Sequence, residues 1–162
     1  MKKFILSGLP GSGKSTLVLK ILEFLENKIS VAGIITPEIR INERRVGFKV
    51  IDVFSRKEEI FASIFIRSKF KISKYFVDLE KFEKIALEAL EREAEFYIID
   101  EIGKMELLSK KFELKVLDIL KNKNFLAVIH RNYLNIYKEF GKVYWLTKDN
   151  REEVFKSLIN YL

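Results

Sequence analysis

Eight consecutive residues, Gly8-Leu9-Pro10-Gly11-Ser12-Gly13-Lys14-Ser15, match the pattern G-x-x-x-x-G-K-[ST], and very few local folds can accommodate that pattern. Gly11 and Gly13 can take the positive φ that turns successive peptide N–H groups inward on phosphate oxygens. Such a loop has to leave a strand and enter a helix, and both flanks permit it. The apolar run Lys3-Phe4-Ile5-Leu6-Ser7 precedes it, and Leu17, Val18, Ile21, Leu22 and Leu25 follow on one face of a helix expected from about Ser15 to Asn27. Lys14 is then expected to reach the β- and γ-phosphates of a nucleotide and the Ser15 hydroxyl to ligate Mg²⁺. Thr16 completes the nucleotide-binding stretch, where the helix dipole favours negative charge.

Composition narrows the chemistry further. The 162 residues, 48% of them hydrophobic, suffice for one domain with a sizeable core, so residues 1–162 are expected to form a single unit. No apolar run approaches the ~20 residues of a membrane span, and Met1-Lys2-Lys3 leads directly into the first apolar run, so a cytoplasmic monomer is expected. Cysteine is absent and histidine occurs once, which excludes thiol chemistry and multi-histidine metal sites and leaves oxygen ligands for any metal. Glutamine is absent as well, a bias of proteins from hot environments. The net charge of +7 permits a nucleic-acid partner but does not require one, because acids are interspersed among the basic residues.

Along the chain, extended and helical patterns alternate. Val31 to Ile35 reads as a buried strand, and residues 38–66 read as an inserted antiparallel hairpin or meander, with runs Ile39-Arg40-Ile41, Val46 to Val53 and Ile60 to Ile66. The basic stretch Arg67 to Lys74 reads as loop. Asp78 and Ser109 are placed to cap helices, Glu95 to Ile99, Phe125 to Ile129 and Val143 to Leu146 read as strands, and Asn150 with Glu153 has capping-box spacing before a last helix. Alternating strands and helices predict a mainly parallel sheet covered on both faces.

Phe96-Tyr97-Ile98-Ile99-Asp100-Glu101 is an apolar strand ending in two carboxylates. In a parallel sheet this end lies beside the phosphate loop, so Asp100 can hold the Mg²⁺ ion and Glu101 can orient or deprotonate the attacking water. With Val31 to Ile35 read as a strand inserted between the two motif strands, the pattern resembles the RecA-like, catalytic-glutamate division of P-loop NTPases: a three-layer α/β fold with an inserted antiparallel hairpin.

Over nearly its whole length the chain resembles the small nucleoside-triphosphatases of thermophilic bacteria and archaea, related to the human cancer-related nucleoside-triphosphatase. The resemblance rests on the phosphate loop, on Gly33-Ile34-Ile35-Thr36-Pro37-Glu38-Ile39-Arg40 with Arg45-Val46-Gly47-Phe48, on Asp100-Glu101-Ile102-Gly103-Lys104-Met105-Glu106-Leu107, and on Thr147 with Asn150-Arg151. It implies Mg²⁺-dependent hydrolysis of ATP, GTP, CTP and UTP to diphosphates with loose base selectivity. One departure is Ala127-Val128-Ile129-His130, a strand in which many relatives carry a threonine and this chain has no hydroxyl.

Secondary candidates follow. Glu38, Arg40 and Arg45 flank the inserted hairpin; an arginine there can neutralise γ-phosphate charge, or pair with Glu38 as a hairpin salt bridge. Lys104 is a candidate for phosphate contact with Glu106 bracing it, and His130 for positioning phosphate at a strand end. Asn150 and Arg151 are candidates for base contact, Asn150 being equally suited to capping. Two other activities fit the motifs: a small-molecule kinase with Arg67 to Lys74 as its lid, and a nucleotide-dependent nucleic-acid-binding module.

Overall fold

Residues two apart along each apolar run face the same layer, and this period organises the fold. The computed structural model describes residues 1–162, with β1 (Lys3–Gly8), α1 (Lys14–Leu25), β2 (Val31–Ile35), β3 (Glu38–Ile41), β4 (Arg44–Asp52), β5 (Glu58–Ser63), β6 (Phe70–Ile72), β7 (Tyr75–Val77), α2 (Leu79–Glu91), β8 (Phe96–Ile102), α3 (Lys110–Asn122), β9 (Phe125–Ile129), α4 (Leu134–Tyr137), β10 (Lys142–Leu146) and α5 (Arg151–Tyr161). Phe4 and Leu6 of β1, Phe96 and Ile98 of β8, and Leu126 and Val128 of β9 pack with Leu17, Val18 and Ile21 of α1 and Val154 and Leu158 of α5. Their neighbours Ile5, Tyr97, Ile99 and Ala127 face the opposite layer, built by α2 and α3. Phe61, Phe82 and Phe112 meet there at centroid distances of 4.9 and 5.1 Å, contacts worth about 0.5–1.5 kcal/mol each beyond area burial. Asp78 and Ser109 cap α2 and α3, accepting the Lys81 and Phe112 N–H groups at 3.0 and 3.1 Å.

All ten strands join one sheet in the order β10-β1-β9-β8-β2-β4-β5-β7-β6, with β3 on β4. The pairs among β10, β1, β9, β8 and β2 are parallel. The strand between β1 and β8 is therefore β9, and β2, expected in that place, pairs with the other side of β8. The crossover from β1 through α1 skips two strand positions, a step that chain order does not encode. Because these five strands point the same way, the C-terminal ends of β10, β1, β9, β8 and β2 share one edge.

The antiparallel insertion is longer than expected and continues the same sheet through β4. It runs from Glu38 to Val77. Phe70 and Ile72, in the stretch read as loop, form β6 and pair with β7 across a turn in which Ser73 has φ 55°. Their half-burial against the core alternates with exposed Lys69 and Lys71, a period-two signal too short to stand out among basic residues. As the outermost strand, β6 lies at the end of the sheet away from β1. Coverage is also narrower than expected: α2 packs on β4 and β5, while Ile60 on β5 remains exposed.

Candidate active site

β1 hands the chain to a turn closed by the Ser12 N–H donating to the Leu9 carbonyl at 3.2 Å. Gly11 and Gly13 have φ of 79° and 100°, as the loop pattern requires, and α1 starts directly at Lys14. A Cβ on Gly13 would also fall 2.6 Å from the Arg151 Nε, so this position is restricted twice over. Lys14 Nζ donates to the Gly8 and Leu9 carbonyls at 3.0 and 2.9 Å and thus sits folded over the loop. Burial lowers its pKa; Glu101 and Asp100 act in the other direction, and the Arg131 charge adds to the lowering.

At the end of β8, Asp100 pairs with Val128 and Ile102 with Ile129. Glu101 is left out of the ladder as a bulge, which re-aims its side chain. The Thr36 hydroxyl, at the exit of β2, donates to the Asp100 carbonyl at 2.9 Å and accepts the Glu101 N–H at 3.2 Å. Both acids line a cleft of about 600 Å³ together with Gly8, Pro10, Gly11, Gly13, Lys14, Ser15 and Thr16. Burial pushes the Glu101 carboxyl up, opposed by His130, Lys14 and Arg45.

Asp100 is 7% exposed. Burial, reinforced by Glu101, pushes its carboxyl up to about 7, against the Ser15 hydroxyl and the Lys14 charge. The folded chain therefore holds a proton that the unfolded chain releases near pH 4, so this group's contribution to stability is present at low pH and lost as pH rises towards 7. A cation bound to the carboxylate must displace the same proton. Divalent-metal affinity should accordingly fall about tenfold per unit as pH drops below 7, measured by Mn²⁺ titration from pH 5 to 8. Asp100→Asn should flatten that slope, and a flat profile in the unmodified protein would contradict the assignment.

The hairpin residues Glu38, Arg40 and Arg45 reach the same cleft. Arg40 Nε donates to the Glu38 carboxylate and its Nη1 to the Glu43 carbonyl at 2.7 Å, while Arg45 Nε lies 2.8 Å from Glu38. One carboxylate thus holds both arginines. From α5, Arg151 Nε donates to the Ser12 carbonyl at 2.7 Å and Nη2 to that of Gly11 at 3.3 Å, clamping the phosphate loop.

Three other expectations meet a different geometry. Asn150 precedes α5 but makes no capping-box bond; its Oδ1 accepts the Thr147 N–H at 2.7 Å and its Nδ2 donates to the Trp145 carbonyl at 2.9 Å. Its amide is used up within its own turn, because the chain must close sharply after β10. Lys104 is exposed and lies outside the cleft-lining set. Glu106 does not pair with it; the side chain is 5% exposed and flanks Glu101, since a Cβ on Gly103 would lie 2.9 Å from Oε1 of each. Burial and the Glu101 charge push the Glu106 carboxyl well up.

His130 lines the cleft, with Nδ1 accepting the Asn132 N–H at 3.1 Å. No hydroxyl ends β9, yet Ser7 of β1 donates to the Ile129 carbonyl at 2.6 Å and ties the two strand ends together. Sequence reasoning missed Thr36 and Arg131 as cleft residues. Thr36 had a detectable signal, a hydroxyl at the end of a buried strand before proline; Arg131 had none beyond following a strand end.

A sequence-family model described as NTPase matches residues 3–159. The chain belongs to this family of nucleoside-triphosphatases. It is 42% identical over 163 residues to nucleoside-triphosphatase THEP1 of Methanocaldococcus jannaschii, covering 98% of this chain and 95% of that protein. The crystal structure of THEP1 from the hyperthermophile Aquifex aeolicus matches with TM-score 0.86 and 35% identity over 99% of this chain and 98% of that one. The solution structure of a human cancer-related nucleoside triphosphatase matches with TM-score 0.83 and 28% identity, covering 99% and 97%. Both the three-layer P-loop fold and the relationship read from the motifs are thus borne out. No helix is long and apolar enough to cross a membrane.

Proposed function

We propose that residues 1–162 act as one monomeric P-loop domain that hydrolyses nucleoside 5′-triphosphates to the diphosphate and phosphate, using Mg²⁺, with broad base selectivity and no requirement for nucleic acid. The observation that carries this reading is the presence of Lys14, Ser15, Asp100 and Glu101 on one cleft. The Ser15 hydroxyl and the Asp100 carboxylate are hard oxygen donors, and they suit Mg²⁺. The ion supplies charge neutralisation at the β- and γ-phosphates when bound.

The chain's own groups do the rest. Peptide N–H groups of the loop bind phosphate oxygens, Lys14 leaves the Gly8 and Leu9 carbonyls for the β- and γ-phosphates, and Glu101 orients water and takes its proton. A carboxyl pushed up by burial suits that base, since its affinity for a proton approaches what the transfer needs. Arg151 keeps the loop carbonyls turned back so that the N–H groups face the cleft. Against the kinase alternative, Phe70–Ile72 of the Arg67 to Lys74 segment expected as its lid lies in the edge strand β6, and Glu101 suits the activation of water.

Phosphate release from ATP, GTP, CTP and UTP, with no acceptor or nucleic acid added, tests the reading. Release should stop with EDTA and return with Mg²⁺, and kcat/KM should agree among the four within about a hundredfold. Release only with an added acceptor or nucleic acid, or a preference beyond about a thousandfold, would count against it.

A further inference from the structure

We propose that Arg131 supplies, from within the chain, the cation that neutralises the γ-phosphoryl group in the transition state of the hydrolysis proposed above, an assignment that rests on that reading. Four arginines line the cleft: Arg40, Arg45, Arg131 and Arg151. Three already have partners, Arg40 and Arg45 on Glu38 and Arg151 on the loop carbonyls. The Arg131 guanidinium alone makes no ion pair or hydrogen bond, and its residue is exposed.

Its mounting is nonetheless firm. Arg131 opens the turn after β9, the strand between β1 and β8, so its backbone leaves the sheet between the phosphate loop and the Asp100–Glu101 pair. The preceding His130 is fixed by three bonds: its N–H donates to the Ile102 carbonyl at 3.0 Å, its carbonyl accepts the Tyr133 N–H at 2.9 Å, and its Nδ1 accepts the Asn132 N–H at 3.1 Å. A held backbone thus carries an unheld guanidinium. Arg131 and Lys14 line the same cleft, so the two cations address the same space, and a polyphosphate bound there meets both.

In the step itself, the water oxygen forms a bond to the γ-phosphorus while the bond from that phosphorus to the β,γ-bridging oxygen breaks. The electron pair of the broken bond leaves on the β-phosphate, and the water proton passes to Glu101. Arg131 takes and gives no proton; it donates hydrogen bonds to the oxygens on which charge accumulates.

Arg131→Ala is the direct test, and because the side chain is exposed and unbonded the variant should fold with unchanged thermal unfolding. At saturating ATP and Mg²⁺, kcat should fall by about 10³ or more, while affinity for a fluorescent non-hydrolysable ATP analogue stays within about threefold. Arg131→Lys should recover part of the rate, and added guanidinium chloride at low millimolar concentration should partly rescue Arg131→Ala but not Lys14→Ala. The proposal is overturned if kcat stays within about threefold of the unmodified protein, or if the whole loss lies in KM, which would make Arg131 a ground-state phosphate ligand. It is equally overturned if Arg45→Ala shows the large kcat loss while Arg131→Ala does not. Normal turnover in Lys14→Ala sinks the hydrolytic reading of the cleft, whereas normal turnover in Arg131→Ala alone overturns the role of Arg131 and leaves that reading standing.

Discussion

Lys14→Ala should lower kcat/KM for triphosphate hydrolysis by at least about 10²–10³, the loss seen when one preorganised donor to a reacting anion is deleted. Two effects combine in this variant. Lys14 is the loop's own side-chain cation, and the Arg151 guanidinium on the same cleft is engaged by the Gly11 and Ser12 carbonyls, so it is not free to replace it. The ammonium also bonds the Gly8 and Leu9 carbonyls, so its removal leaves the loop less ordered before any nucleotide arrives. Both binding and turnover should therefore suffer, as read by nucleotide titration and by phosphate release. Activity within threefold of the unmodified protein would mean that the loop is not the phosphate site.

Glu101→Gln should behave differently, separating binding from chemistry. The amide keeps the size of the carboxylate and its place in the β8 bulge, where Thr36 accepts the backbone N–H, but it cannot accept a proton from water. Nucleotide affinity should stay within a few-fold while kcat falls by about 10²–10⁴, the usual contribution of a general base. Near-normal turnover would pass the role to another group, with Glu106 flanking Glu101 and Glu38 and His130 on the same cleft as candidates.

The parts of this molecule that were legible in its sequence are those whose physics is local. The phosphate loop needs glycines at positive φ between a strand and a helix, and Gly11 and Gly13 meet that need where the pattern put them. Asp78 and Ser109 cap their helices because a cap depends on three residues of chain. What was not legible depends on distance across the sheet. The identity of the strand between β1 and β8 follows from how far each crossover carries the chain, which neither α1 nor α3 states in its own residues. Arg151 reaches the loop from 139 residues away, and nothing in an asparagine-arginine pair distinguishes a loop clamp from a base contact. Asn150 has good capping spacing, yet the sharper demand of closing the turn after β10 claims its amide. Arg131 is invisible for the same reason in reverse: an exposed arginine after a strand is ordinary until the sheet order brings it beside the phosphate loop.

Running the reaction in ¹⁸O-enriched water with ATP, Mg²⁺ and no acceptor addresses the central claim, that water held in this cleft attacks the γ-phosphorus. Mass spectrometry of the products should find a single solvent oxygen in the released phosphate and none in the diphosphate nucleotide. Label in the nucleotide, or phosphate that appears only when an acceptor is supplied, would contradict it.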